Sequence, residues 1–177
     1  QLKFLAIYSS NLDEFFKVRV ANHRSLLRTG KKTRASLNFE PSDILDKILR
    51  IVNSQQEEFS RIFEKQIVPS LKTIGINILR RQKLNSDQIE YIESYFKDNM
   101  LPYVQPVLLV EDKIKPFLNT GSLYLAMYLK DITKKKDSTQ YALVKIPSDN
   151  LPRFIELSPQ VDGQHDIIVL DDVVRHN

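Results

Sequence analysis

The chain has no cysteine and no tryptophan, and only four glycines and three histidines among 177 residues. Without cysteine, disulfides and thiolate metal sites are excluded, and a reducing compartment such as the cytoplasm suits the chain. So few glycines leave no GxxxxGK cradle and no GxGxxG turn, so no backbone nest for phosphate can be assigned. His23, His165 and His176 have no metal-like spacing with one another or with carboxylates. No serine, histidine and acid are paired by spacing into a triad. Asp13 and Glu14, adjacent on a helix, point to different sides and cannot act together as acid and base. Long apolar runs are missing too. The longest, 104–110, is interrupted by Pro106 and falls far short of the roughly 20 residues of a membrane span. The opening LKFLAIYSSNLDEFF lacks the charged n-region of a signal peptide and runs straight into acidic residues.

What is present fits a globular chain: 42% hydrophobic and 27% charged residues, with room for one ordinary domain or two small ones. The net charge of +4 is uneven. Residues 1–35 hold eight basic side chains against Asp13 and Glu14, a net +6, which leaves about −2 for the other 142. An anionic partner would therefore meet the first helical region. The plainer alternative is a solvated helix face, since surface lysines and arginines are common.

The first 75 residues read as helical. Leu12, Phe16, Val20 and Leu27 form an apolar stripe, and beside it Asp13, Lys17, Arg24, Arg28 and Lys31 recur at helical spacing. Tyr8-Ser9-Ser10 reads as a helix end and Asn11 as the N-cap of a restart, with Glu14 at the capping-box position. An asparagine at an exposed helix start can also offer its carboxamide to a nucleobase edge. Tyr8, Phe15 and Phe16 could lend a ring to a base, although core packing is the commoner use of such aromatics. Gly30 ends this helix and KKTRASLNFE is a polar connection. Pro41-Ser42-Asp43 then supplies a capping group just before Ile44 and starts a helix of roughly 25 residues, ended by Pro69 and Gly75. The two helices predict an antiparallel pair. A pair buries little, and the chain opens in mid-helix without a methionine or a cap, so a further helix before Gln1 is expected.

After Gly75 the period changes. Residues 76–79 read as a strand, and Asn85-Ser86-Asp87 caps a helix with Ile89, Ile92, Tyr95, Phe96 and Met100 inward. Residues 107–110 read as extended. SLYLAMYLK and QYALVKI predict an antiparallel hairpin across the polar DITKKKDST. Pro147-Ser148-Asp149 starts a turn or short helix carrying Leu151 and Phe154, and 167–170 reads as a last strand. His23 reads as a hydrogen-bonded structural residue, and His165 and His176 as loop residues. The fold class is α+β: an antiparallel helical bundle over 1–75, then a small domain with antiparallel strands over 76–177.

The pattern FLxIxxxNLDEFxxVR within LKFLAIYSSNLDEFFKVRV resembles the N-terminal region of the bacterial polyphosphate kinase family. YALVKI followed by PSDNLPRF, and then IIVLDDVVR, are similar to that family's next, or head, domain. The resemblance implies a longer protein that reversibly moves the terminal phosphate of ATP, giving ADP, onto inorganic polyphosphate. It also implies two further C-terminal domains of phospholipase D-like fold, carrying the phosphohistidine and the magnesium-binding arginines. No position here matches that histidine motif, so no catalytic or metal-binding residue is expected in this chain, and Mg2+ is expected only through residues outside it. Asn11 matches the family asparagine that contacts ATP near its adenine, and the head domain implies a homodimer or higher homo-oligomer. Arg19, Arg24 and Arg28 are candidate phosphate contacts on the strength of the basic ridge. A cytoplasmic protein is implied, with peripheral contact at the inner membrane face left open. Neither a nucleic-acid partner nor a transmembrane segment is expected. The alternatives are a basic helical nucleic-acid-binding module and a purely structural dimerisation domain.

Overall fold

A computed structural model describes residues 1–30, 36–109, 118–130, 139–157 and 163–177. The chain divides into two compact units, Gln1–Thr73 and Ile74–Asn177. The predicted polar linkers fall partly outside the described residues, as do Lys31 and Lys134-Lys135-Lys136.

The first unit is helical. Helix α1 (Leu2–Phe15) passes through a π-helical turn (Phe16–Val20) into α2 (Ala21–Leu27), with right-handed helical backbone at both junctions. Helix α3 (Pro41–Ile62) passes through a second π turn (Phe63–Ile67) into α4 (Val68–Thr73). The start of α3 departs from expectation: Glu40 is the capping position, and no side chain bonds the helix's free N–H groups. Pro41 replaces the cap, because its fixed φ suits the first helical position and its absent N–H needs no partner. Pro69 does not end the helix either. A proline inside a helix clashes with the carbonyl four residues back, and the wider π turn just before it relieves that crowding. The hydroxyl of Ser70 then donates to the carbonyl of Gln66 at 2.7 Å.

The helices run antiparallel. Gln1 donates to Gln66 at 3.1 Å, Tyr8 donates to Gln55 at 3.3 Å, and the Tyr8 ring lies 5.7 Å from that of Phe59. The buried apolar set is small, Val20, Leu45, Val52 and Ile67, while Phe4 stays 77% exposed. Two helices have only one shared seam, so much of their apolar surface faces outward.

Among the described residues the second unit holds two three-stranded sheets. One has the order β1 (Ile76–Leu79), β6 (His165–Val169), β5 (Phe154–Glu156); β1 pairs parallel to β6, and β5 antiparallel to it. The other has the order β2 (Val107–Leu109), β4 (Thr139–Lys145), β3 (Tyr124–Lys130), antiparallel throughout. The α+β class holds, with one parallel pair added to the antiparallel ones. Phe154 opens β5 rather than lying in a turn or helix, and is exposed. Helix α5 (Ser86–Tyr95) has the cap expected at Asn85, whose side chain accepts from the Gln88 backbone at 2.9 Å, and Gln88 completes it as a capping box. Helix α6 (Leu170–His176) follows β6 directly.

Ile92, Met100, Ile146, Ile155, Leu157, Ile168, Leu170 and Val173 make the core of this unit. A polar knot lies beside it: Asp166 on β6 accepts from Asn77 on β1 at 2.8 Å and from the buried Gln88 on α5 at 2.9 Å. On the second sheet, Ala142 and Val144 face inward, while Tyr128 and Tyr141 pair across β3 and β4 on the exposed side.

Candidate functional site

Asn11 does not begin a helix. Helix α1 runs through Ser9, Ser10 and Asn11 without interruption, so Asn11 is no N-cap and Glu14 completes no capping box. Serine and asparagine compete locally for backbone hydrogen bonds, which favours a break when nothing else acts. Here Leu5, Tyr8, Leu12 and Phe15 are half-buried at helical spacing on both sides, and that packing carries the turn through. The consequence is chemical. The carboxamide of Asn11 is exposed and makes no side-chain hydrogen bond among the described residues.

Asn11 and Phe15 line two depressions. One, of about 320 Å³, lies between α1 and α3 and is walled by Tyr8, Leu12, Ile48, Ile51 and Gln55 among others. The second, of about 260 Å³, adds Glu14, Val18 and Arg19 and spans the junction of α1 with the first π turn. The apolar groove continues towards Phe4 and Ile62 as a further space of about 470 Å³ that also touches Tyr8 and Gln55.

The basic residues sort themselves by partner. Lys17 is held by Asp13 at 2.6 Å, one helical turn away. Arg19, Arg24 and Arg28 are exposed and make no ion pair or side-chain hydrogen bond among the described residues. Of the three, Arg19 lines the second depression; Arg24 and Arg28 line neither of the two. So the site gathers an amide and a carboxylate at one end, an aromatic ring and a valine between, and a guanidinium at the other. That order of groups suits a flat heterocycle carrying an anionic tail. Glu14 and Val18 were not expected as lining residues. The sequence signal was their spacing from Asn11 and Arg19 on one helix, but it needed the uninterrupted helix to be seen.

The aromatics divide in the same way. Tyr8 packs on Phe59, and Phe15 meets Phe16 edge-on at 6.1 Å, so Phe15 alone of the three lines both spaces at Asn11. His23 packs edge-on against Phe39 at 6.2 Å, but its buried Nδ1 has no hydrogen-bond partner among the described residues, which corrects the expected hydrogen-bonded role at that atom. Neither of the other histidines is in a loop. His165 opens β6 and sits 2.7 Å from Glu156, and His176 ends α6, 3.3 Å from Glu93. No three His, Asp or Glu side chains among the described residues group to hold a metal ion.

Comparison with known proteins decides the family. Residues 1–79 match the polyphosphate kinase N-terminal domain, and residues 87–177 match the polyphosphate kinase middle domain. The chain belongs to the polyphosphate kinase family. It is similar to the polyphosphate kinase of Halalkalibacterium halodurans, at 35% identity over 178 residues, which is 99% of this chain and 25% of that protein. The polyphosphate kinase of Vibrio parahaemolyticus is 30% identical over 179 residues, with 99% and 25% covered. A crystal structure of polyphosphate kinase from Porphyromonas gingivalis is similar with a TM-score of 0.83 and 34% identity, covering 99% of this chain and 25% of that one. The chain thus spans about a quarter of the length of the polyphosphate kinases it matches. Among the described residues, no helix is long and apolar enough to cross a membrane.

Proposed function

We propose that this chain is the nucleotide-contacting, N-terminal part of a longer enzyme that reversibly transfers the terminal phosphate of ATP to inorganic polyphosphate. The observation that carries the reading is Asn11. It occupies the NLDEF asparagine, and its carboxamide is exposed, unbonded and placed at the lip of two adjoining depressions. A cap would have spent that group on backbone. Free, it can donate to a ring nitrogen and accept from an exocyclic amine of adenine. Its contribution to the reaction is remote binding energy, which orients the nucleotide for groups elsewhere in the enzyme to act on its γ-phosphate.

Two further assignments go with this. Arg24 and Arg28, exposed and without an ion pair among the described residues, suit contacts to polyphosphate as charge-assisted forks. The second unit suits subunit pairing, because Tyr128 and Tyr141 leave a sheet face 64% and 53% exposed at those positions. If that face joins two copies, Tyr141→Glu will shift the full-length protein towards monomer in sedimentation velocity. An unchanged sedimentation profile removes this face from the contact.

The deciding experiment is ATP-dependent polyphosphate synthesis by the full-length protein, wild type against Asn11→Ala, across ATP concentrations and with melting temperature followed in parallel. A KM for ATP raised roughly three- to tenfold, the size of one lost hydrogen bond, supports the reading. An unchanged KM makes Asn11 a solvated surface residue. Absence of synthesis by the wild type overturns the proposed activity.

A further inference from the structure

We propose that Arg19 grips the phosphate end of a nucleotide whose base lies at Asn11, so that the bound molecule runs along the helix in the direction of the chain. The inference rests on the nucleotide reading of Asn11 and adds a direction and a second contact to it. Three observations carry it. Asn11, Glu14, Phe15, Val18 and Arg19 line one depression of about 260 Å³, so the two end groups share a single space. The eight residues from Asn11 to Arg19 advance about 12 Å along a helix axis, which is compatible with the distance from a purine's edge to its first phosphates. The charge is polar along that line. Glu14 sits at the Asn11 end, where a phosphate would be repelled and an exocyclic amine accepted, while Arg19 sits at the other end with no partner of its own among the described residues.

The neighbouring cations are less suited. Lys17 lies two residues before Arg19 but is held by Asp13 at 2.6 Å, and a phosphate taking it would first have to break that pair. Arg24 and Arg28 line neither depression. The π turn Phe16–Val20 holds Arg19 on its wall. Such turns insert a residue into the helix and often accompany functional positions because they re-aim the side chains they carry.

The test compares adenosine, ADP and ATP binding to the full-length protein by calorimetry, for Arg19→Ala, Arg19→Lys, Asn11→Ala and Lys17→Ala. Arg19→Ala is expected to weaken ADP and ATP about ten- to hundredfold, as loss of a charge-assisted contact would, and to leave adenosine unchanged. Arg19→Lys recovers part of the loss, since it keeps the charge and loses the fork. Asn11→Ala weakens all three ligands by a similar factor. Lys17→Ala leaves them within about twofold, because an exposed pair of this kind contributes little. If Asn11→Ala weakens every ligand and Arg19→Ala weakens none, the base contact stands and the assignment of Arg19 is overturned. If Arg19→Ala weakens adenosine as much as ADP, Arg19 serves the base end and the direction is wrong. If Asn11→Ala changes nothing, both the underlying reading and this inference fall.

Discussion

A residue's chemistry depends on whether its neighbours have already used it, and Asn11 is the sharpest instance in this chain. As a helix cap it would be structural, and Asn11→Ala would destabilise by about 1 kcal/mol. In mid-helix the sign reverses. Alanine is the better helix former, so Asn11→Ala is expected to leave the melting temperature unchanged or raise stability by about 0.5 kcal/mol in a denaturant titration, while nucleotide affinity falls. That divergence between stability and affinity separates a ligand contact from a scaffold role. Gly75 sits at the opposite extreme. Its φ is +85°, and a Cβ there would overlap the carbonyl oxygen of Gly163, while the Gly75 carbonyl accepts from the His165 backbone at 2.6 Å. Gly163, at φ +76°, has no described residue near the place of its absent Cβ. Gly163→Ala is therefore expected to cost about 1–2 kcal/mol from the left-handed backbone alone. Gly75→Ala should cost clearly more, because the strand start must also move apart; equal midpoints in urea for the two variants would show that the close approach is not binding.

At the level of elements, the strongest local signals were also the most legible. Asn85-Ser86-Asp87 announced a capped helix, and the alternating SLYLAMYLK and QYALVKI announced an antiparallel pair; the structure forms both, with β3 and β4 in register from Tyr124 opposite Lys145 to Lys130 opposite Thr139. What misled was local chemistry read without its tertiary context. Ser9, Ser10 and Asn11 favour a break, and Pro69 favours an end, but packing along the α1–α3 seam and a π turn override each of them. The parallel pairing of β1 with β6 was illegible for another reason, since nothing in four residues near position 78 names a partner some 90 positions away. The Asp166 knot is what that pairing adds. Asp166→Ala removes two charge-assisted hydrogen bonds and strands the buried Gln88 amide, so it should cost about 3 kcal/mol by chemical denaturation. A loss under 1 kcal/mol would mean that water replaces the carboxylate.

Across the whole chain, charge and fold divide in a similar way. The net +6 of residues 1–35 falls within the helical unit Gln1–Thr73, and the exposed Arg24 and Arg28 lie on its α2 end. For a polyanion, affinity through such contacts comes with counterion release and falls steeply with salt. Reversing both, Arg24→Glu with Arg28→Glu, is expected to lower polyphosphate affinity at low salt and flatten its dependence on salt concentration. An unchanged slope would assign those side chains to solvation alone. The family was legible because its signature lies in contiguous blocks. The site was legible only in part, because one of its depressions lies between two helices and the other at a π turn, and no short motif encodes either.

The parallel pair β1 and β6 also has a meaning in time. The strand Ile76–Leu79 opens the second unit, yet its partner, His165–Val169, leaves the ribosome only after some 90 further residues. Until then β1 has no ladder, Asn77 and Gln88 have no carboxylate to meet, and Ile168 and Leu170 are missing from the core. The helical unit, by contrast, closes through contacts that are complete by Thr73. Synthesis therefore imposes an order that the finished protein hides: the helices of the first unit can pair early, while the sheet that contains β1 must wait for β6, exposed to wrong pairings in the interval.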